Sequence, residues 1–472
     1  LWGAGIPKDH PGALAAGWKE SQDQIHCVAV ESDAVLKGEP WAEAKLDALI
    51  WLGVFGKSLN CNGWARDGVW SLFRQETTER GADWGAEPIW RFDAVTKIEI
   101  QRHTRNANEG ESVYAYASAT RDSLAIWRNT LEPLSVIPLM VVRKLQDLQS
   151  GRMAGKRAVI RSPQPRMSGT AKLLQIMGGI MGHYWRRVEG KWKRRKGQDR
   201  WRVALRRIEG AGDLSSKGFE FLPQAAGIEY ADPFFHEHGG GLFLCLEEID
   251  TSTAKGHLVA YECSPEGKWG NKQIMLQEDH HLSYPFVFEA DEGTFMVPES
   301  GARHTVNLYR AKVFPSEWEF RRHIQAGVDL VDTTYFRHEG LWYIFTSSVD
   351  AESGNWVETF LFTAKHIDDE WEYHPANPIC SDIRYARSGG ALFWRNGELI
   401  RPVQDCSRRY GWALRWNQVM RLTPYEFEEV PIAELTPEGQ LGWAATHTYN
   451  RKGNLEVIDA AVYPAYFMRE TN

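Results

Sequence analysis

Ile228–Ile249 reads IEYADPFFHEHGGGLFLCLEEI: two apolar stretches joined at Gly239–Gly241, with Asp232 at the mouth of the first and Glu247–Glu248 at the end of the second. Aromatic and apolar runs flanking a glycine turn predict a β-hairpin. Similar units recur at SYPFVFEADEGTFMVPES and VDTTYFRHEGLWYIFTSS. The strand openings Asp232, Tyr284, Asp332 and Ser388 follow one another at intervals of 52, 48 and 56 residues. Each opening precedes a glycine turn, at Gly239–Gly241, Gly293, Gly340 and Gly397. Each turn precedes an outer aromatic, at Trp269, Trp318, Trp371 and Phe427, spaced by 49, 53 and 56 residues. A period near 50 with about four short strands per unit is the pattern of a β-propeller.

Four units run from about 230 to 429, and a fifth opens at Thr446-His447-Thr448, with a turn at Gly453 and a second strand, LEVIDA, ending near Asp459. That unit has two strands left. Its outer pair is supplied from upstream by WRVALRR (201–207) and GFEFLP (218–223), which joins the chain ends and leaves no open sheet edge. The expected fold class is therefore an α/β N-terminal domain plus an all-β five-bladed β-propeller. The expected domains are 1–155, a helical and basic linker at 156–200, and a propeller at 201–472 closed by strands within 201–222.

In this arrangement Asp232, Tyr284, Asp332, Arg387 with Ser388, and His447 converge at one end of the axis, with Glu247, Glu299 and Asp459 nearby. Cleaving a glycosidic bond needs one carboxylic acid and a second carboxylate as base or nucleophile. Asp232 is the candidate base or nucleophile, Glu299 the acid and Asp332 the partner that tunes a pKa. Glu247 also lies six residues after its turn glycine, so it is the substitute acid. Expected substrate contacts are Glu247, Tyr284, Arg384, Arg387, Asp405 and His447. Arg384, Arg387, Arg401, Arg408 and Arg409 beside Asp405 suit a phosphate, sulfate or uronate, or equally Arg–Asp ties between blades. His280, His281 and His447 are candidates to position a structural metal ion or water in the channel. No metal-ligand set and no cofactor is assigned.

Residues 228–448 resemble the five-bladed hydrolases and transferases of the arabinanase, β-xylosidase and invertase type. That resemblance implies an Asp as base or nucleophile opening the first blade, a second Asp tuning a pKa, and a Glu as acid. A second resemblance rests on ADPFF, HLSYPFVFE, VPES, VDTTYF, HPANPICSDIR, ARSGGALF, RPVQDCSRRYG and ATHTYN. These are similar to the propeller domain of glucosamine inositolphosphorylceramide transferase-like proteins, which implies a carbohydrate context. The expected function is a carbohydrate-active enzyme, a glycoside hydrolase or glycan transferase acting on an oligo- or polysaccharide at the axis. The alternatives are a non-catalytic glycan-binding or scaffold protein in polysaccharide biosynthesis, and a sugar N-formyltransferase.

That last alternative comes from ARDGVWSLFRQETTERGADWGAEPIWRFDAVTKIEIQR at 65–102, which resembles the sugar and methionyl formyltransferases. The family uses an Asn, a His and an Asp. Asn60 or Asn62 stands for the first, but no His lies between His26 and His103, so the segment reads as a scaffold without its general base. Pro133 and Pro138 are expected to split a helical stretch at 122–151 in two. AKLLQIMGGIMGHYW then reads as a short apolar helix.

The net charge of −7 argues against nucleic acid as partner. The single strongly basic run, 186–207 with Trp192 and Trp201, is either a solvated connector or a surface for anionic lipid headgroups, nucleic acid or an acidic glycan. No apolar run reaches the length of a transmembrane span. Residues 1–20 show no secretory pattern, and the six cysteines form no CxxC pair, which together predict a cytoplasmic protein with reduced thiols.

Overall fold

The structure, a computed structural model, describes residues 47–51, 65–73, 88–89, 93–103, 111–120, 126–151, 156–157, nine positions within 174–188, and 199–463 apart from short gaps. The segments 24–32 and 161–170, together with Cys27, Cys61, Asn60 and Asn62, lie outside the described residues. The chain divides into two compact units, Leu1–Tyr184 and Trp185–Asn472.

The first unit carries a five-stranded sheet in chain order, β1 Leu49–Trp51, β2 Val69–Phe73, β3 Val95–His103, β4 Glu111–Ala119 and β5 Lys156–Arg157. The β1–β2 pair is parallel and the rest are antiparallel. The helix α1, Ile126–Gln149, packs on β3 and β4. It runs unbroken through Pro133 and Pro138, which corrects the expected split. Each proline removes a backbone hydrogen bond and crowds the preceding turn, at roughly 3 kcal/mol. Burial of Ile137, Leu139 and Met140 offsets this, and the Arg143 guanidinium donates to the Tyr114 hydroxyl at 2.7 Å. Among the described residues no helix is long and apolar enough to cross a membrane.

From Asp199 onward the described residues of the second unit are built of β-strands, with one short 3-10 turn at Gly301–Arg303. After β6 Arg200–Arg207 and β7 Glu220–Phe221 come four antiparallel sheets. The first holds β8 Ile228–His238, β9 Gly241–Asp250, β10 Lys255–Cys263 and β11 Trp269–Leu276. The second holds β12 Ser283–Ala290, β13 Gly293–Glu299, β14 Thr305–Val313 and β15 Glu317–Ala326. The third holds β16 Leu330–His338, β17 Leu341–Ser348, β18 Glu358–Ala364 and β19 Glu372–Tyr373. The fourth holds β20 Arg387–Ser388, β21 Phe393–Arg395, β22 Glu398–Asp405, β23 Ala413–Leu422 and β24 Phe427–Leu435. A last sheet combines β25 Trp443–Ala445, β26 Tyr449–Lys452 and β27 Leu455–Val462 with β6 and β7. Strand β27 pairs with β6 in the register Leu455↔Arg207 to Val462↔Arg200.

Apolar clusters lie between successive sheets and also between the last and the first, where Val203, Leu205 and Val457 meet Tyr230, Leu244, Leu246 and Val259. The layered packing is thus cyclic. Each fully buried Leu or Val contributes about 1.5–3 kcal/mol, so closure is driven by side chains as well as by the β27–β6 ladder.

The inner strands share a local irregularity. In β8, β12 and β16 one extra residue sits opposite the partner strand, between Ala231 and Phe234, Ser283 and Phe286, and Val331 and Thr334. The residue that opens each bulge takes a left-handed backbone, with φ of 48° at Asp232, 49° at Tyr284 and 50° at Asp332. An L-residue pays about 1–2 kcal/mol for that conformation. The return is directional, because each bulge turns its N–H toward a carboxylate on the preceding sheet, the last sheet preceding the first.

Candidate functional site

Those N–H groups draw the expected residues together. Asp232 N–H donates to Asp459 Oδ2 at 3.0 Å, from the first sheet to the last. Tyr284 N–H donates to Asp232 Oδ2 at 3.1 Å, and Asp332 N–H to Glu299 Oε2 at 3.2 Å. Arg387 closes the series by ion-pairing Asp332 through its Nε and reaching Glu299 Oε2 at 3.4 Å. Gln404 Nε2 adds a bond to Asp332 Oδ2 at 2.9 Å, and the Thr448 hydroxyl one to Asp232 Oδ1 at 2.6 Å. The three expected catalytic acids are therefore neighbours, each held by another sheet.

The electrostatics follow from burial and from an excess of carboxyl groups. Burial raises Asp232 to about 7, with the His447 cation opposing and the charges of Glu247, Asp459 and Asp332 adding to the rise. His447 loses affinity for its proton through burial. Asp459, whose Oδ2 is 2.6 Å from His447 Nδ1, and Asp232 more than compensate and lift it to about 9. Burial and the adjacent Asp332 charge hold the Glu299 carboxyl well above the usual range despite Arg387. At neutral pH the cluster contains an imidazolium and a guanidinium among several carboxyls, and the Glu299 side chain, its pKa pushed up, is 17% exposed.

Aromatic rings frame it. Trp201 stacks on His447 with centroids 4.1 Å apart, Tyr410 meets the same imidazole edge-on at 5.3 Å, and the Arg387 guanidinium lies 4.8 Å from the Tyr410 ring. Tyr410 is 37% exposed. Gly411 has φ of +57°, and a Cβ there would come within 2.7 Å of His447 Cβ, so only glycine allows this approach.

Several expected substrate contacts are placed elsewhere. Tyr284 is fully buried, its hydroxyl 2.8 Å from Thr334 Oγ1 and accepting the Gly390 N–H at 3.1 Å, so it ties the second, third and fourth sheets together rather than facing a ligand. Asp405 is also fully buried and ion-pairs Arg415 at 2.8 Å. Arg384 is held by Asp382 at 2.6 Å. These arginine–carboxylate pairs, with Arg401–Glu429 at 2.6 Å as a further example, are structural but lie within the fourth sheet or the loop before it rather than tying blades together, as Arg387–Asp332 does. Glu247 faces His281, Nε2 to Oε1 2.9 Å. His281 Nδ1 accepts the Gly256 N–H at 2.9 Å, which leaves Nε2 as the donor toward Glu247.

Trp201, Tyr410, Gln404 and Thr448 were absent from the expected site. Trp201 was read as part of the basic run, although its position on the strand that completes the last sheet was a usable signal. Tyr410 had only the adjacent Gly411 to mark it. In the first unit, His103 Nε2 stands 2.7 Å from Ser71 Oγ, while His26, Asn60 and Asn62 lie outside the described residues.

A cyclic stack of antiparallel sheets with buried carboxyls and aromatic rings at the inner-strand openings defines a propeller-like fold. Residues 222–460, just over half the chain, match the family described as glucosamine inositolphosphorylceramide transferase 1, N-terminal, and the chain belongs to that family. Glucosamine inositolphosphorylceramide transferase 1 of Oryza sativa subsp. japonica is 34% identical over 220 residues, 45% of this chain and 29% of the rice protein. The Arabidopsis thaliana protein of that name is 33% identical over 222 residues, with the same coverage. The chain thus spans less than a third of the length of these relatives. Among solved structures, a family 117 glycoside hydrolase from Zobellia galactanivorans (Zg3597) aligns with 58% of this chain and 98% of its own, at 10% identity and a TM-score of 0.36. An exo-1,5-α-L-arabinanase from a bovine ruminal metagenomic library aligns over 49% and 93%, at 15% and 0.35. The family match begins at residue 222 and does not reach the formyltransferase-like stretch.

Proposed function

We propose that the Trp185–Asn472 unit is a five-bladed propeller whose inner-strand openings form a glycan-recognition site serving glycosyl transfer rather than glycoside hydrolysis. The observation that carries this is Arg387. A two-carboxylate hydrolysis needs its acid and base facing each other across open space, about 5–9.5 Å apart. Here one guanidinium from the fourth sheet binds both Glu299, the candidate acid, and Asp332, its expected tuning partner, so the acid is already engaged by a cation inside the protein. What remains suits a sugar. The exposed Tyr410 ring offers an apolar face, and the Glu299 carboxyl, its side chain 17% exposed, offers a hydrogen-bonding group. The name of the plant relatives points to an amino sugar, which makes glucosamine-terminated glycans the first ligands to test.

Calorimetric titration with glucosamine-, N-acetylglucosamine- and uronate-terminated oligosaccharides is expected to give binding that Tyr410→Ala weakens at least tenfold, with no hydrolysis products. A second reading rests on burial and neighbouring charge raising both Glu299 and Asp232, Asp232 to about 7, which suits acid–base chemistry near neutral pH. Sustained product release from any of these glycans, abolished by both Glu299→Gln and Asp232→Asn, would establish that reading and overturn the first.

A further inference from the structure

At the far end of β8 from Asp232, the segment His236-Glu237-His238 places two imidazoles on the same face of the strand, since alternate residues share a face. Across the gap to the second sheet stands Glu289, the penultimate residue of β12. His236 Nε2 is 3.1 Å from Glu289 Oε1, and His238 Nδ1 is 3.7 Å from the same oxygen. Thr294 on β13 completes the group, its hydroxyl 2.7 Å from Glu289 Oε1 and 3.3 Å from His238 Nδ1.

We propose that His236, His238 and Glu289 form a binding site for a borderline divalent transition-metal ion of the zinc type, clamping the first sheet to the second. One ligand atom from each lies within 4.8 Å of the others. Zinc binds imidazole and carboxylate at about 2.0–2.2 Å, which sets tetrahedral ligand atoms about 3.3 Å apart, close to the spacing here. Two His and one Glu are also a donor set that zinc accepts with a fourth position left for water. The Phe314 ring packs on both imidazoles, at 5.0 and 4.7 Å, and Phe243 backs it at 5.0 Å, so the rings are fixed by an apolar wall. The His236 side chain is 6% exposed, against 42% for His238 and 51% for Glu289, so the site is anchored inside and open outside. Lys452 Nζ, the nearby cation, is engaged by Glu237 Oε2 at 2.9 Å.

The test is titration of the chelator-treated full chain with Zn(II) by calorimetry and with Co(II) by visible absorption. One equivalent should bind with submicromolar Kd, giving a four-coordinate Co(II) spectrum and a raised Tm. His238→Ala and Glu289→Gln alter half-exposed side chains, so both should keep the metal-free Tm while each loses at least tenfold in affinity. The His238→Ala/Glu289→Gln double variant leaves Asp232, His447 and Asp459, and Glu278, Asp279 and His280, intact. Metal binding in the double variant as tight as in the parent would overturn the proposal, and so would an absence of stoichiometric binding in the parent.

Discussion

The fourth sheet and the inner-strand cluster are both rich in buried charge, yet they are built oppositely. In and beside the fourth sheet, Arg387 apart, Arg384 pairs Asp382, Arg401 pairs Glu429, and Arg415 pairs Asp405 and Glu434. In the cluster, Asp232, Glu299, Asp332 and Asp459 share Arg387 and His447. Such pairing places a carboxylate beside each of these arginines, which is a structural solution. A surplus of carboxyls can be buried only if some keep their protons, which moves pKa values toward neutrality and marks a site able to exchange hydrogen bonds with a ligand.

The comparison breaks most visibly when a cation is removed from each side. Arg401→Met strands Glu429 and is expected to destabilise by about 3–5 kcal/mol, a fall in Tm on the order of 10 °C, nearly the same at pH 5.5 and pH 8. Arg387→Met should behave differently, because the cluster can take up a proton in place of the lost cation. Its destabilisation should approach that of Arg401→Met at pH 8 but shrink to roughly 1–2 kcal/mol at pH 5.5. Denaturant unfolding at both pH values decides this, and equal losses at the two would show the cluster to be ordinary structural pairing.

A smaller effect concerns pH alone. Asp232 and His447 both bind their protons more tightly in the folded chain than their ordinary values of 3.8 and 6.5 imply. A group with a raised folded pKa contributes stability below its unfolded value and loses that contribution as pH rises through the folded one. Stability should therefore decline from about pH 4 to 7 through Asp232 and from about 6.5 to 9 through His447. Asp232→Asn should flatten the lower window and, by removing one of the two carboxylates that raise His447, narrow the upper one without abolishing it, as read from unfolding free energies across pH 4–10. The smallest stability change is expected from Tyr410→Ala, within about 1 kcal/mol for an exposed ring, although its effect on glycan affinity is the largest of the cluster variants that keep the fold.

The periodic openings, the glycine turns and the outer aromatics were legible because each depends on a few adjacent residues. Gly293, Gly340, Gly397 and Gly453 each join the strands they were expected to join. The strand at 201–207 was legible as the missing outer partner because two lone strands at the C-terminus left an edge to be covered. The continuity of α1 through two prolines was not legible, since local propensity said break and only packing on β3 and β4 reversed it.

The sequence by itself determined where the hairpins and the buried polar openings fall, because strand alternation and turn chemistry are local. Only the tertiary structure decided what those polar residues do. Asp232 meets Asp459 across 227 residues, Arg387 meets Glu299 across 88, and Tyr284 is turned inward to Gly390 across 106. The proton of a buried carboxyl depends on which charges lie within a few ångströms, and that is fixed by how the sheets close on one another.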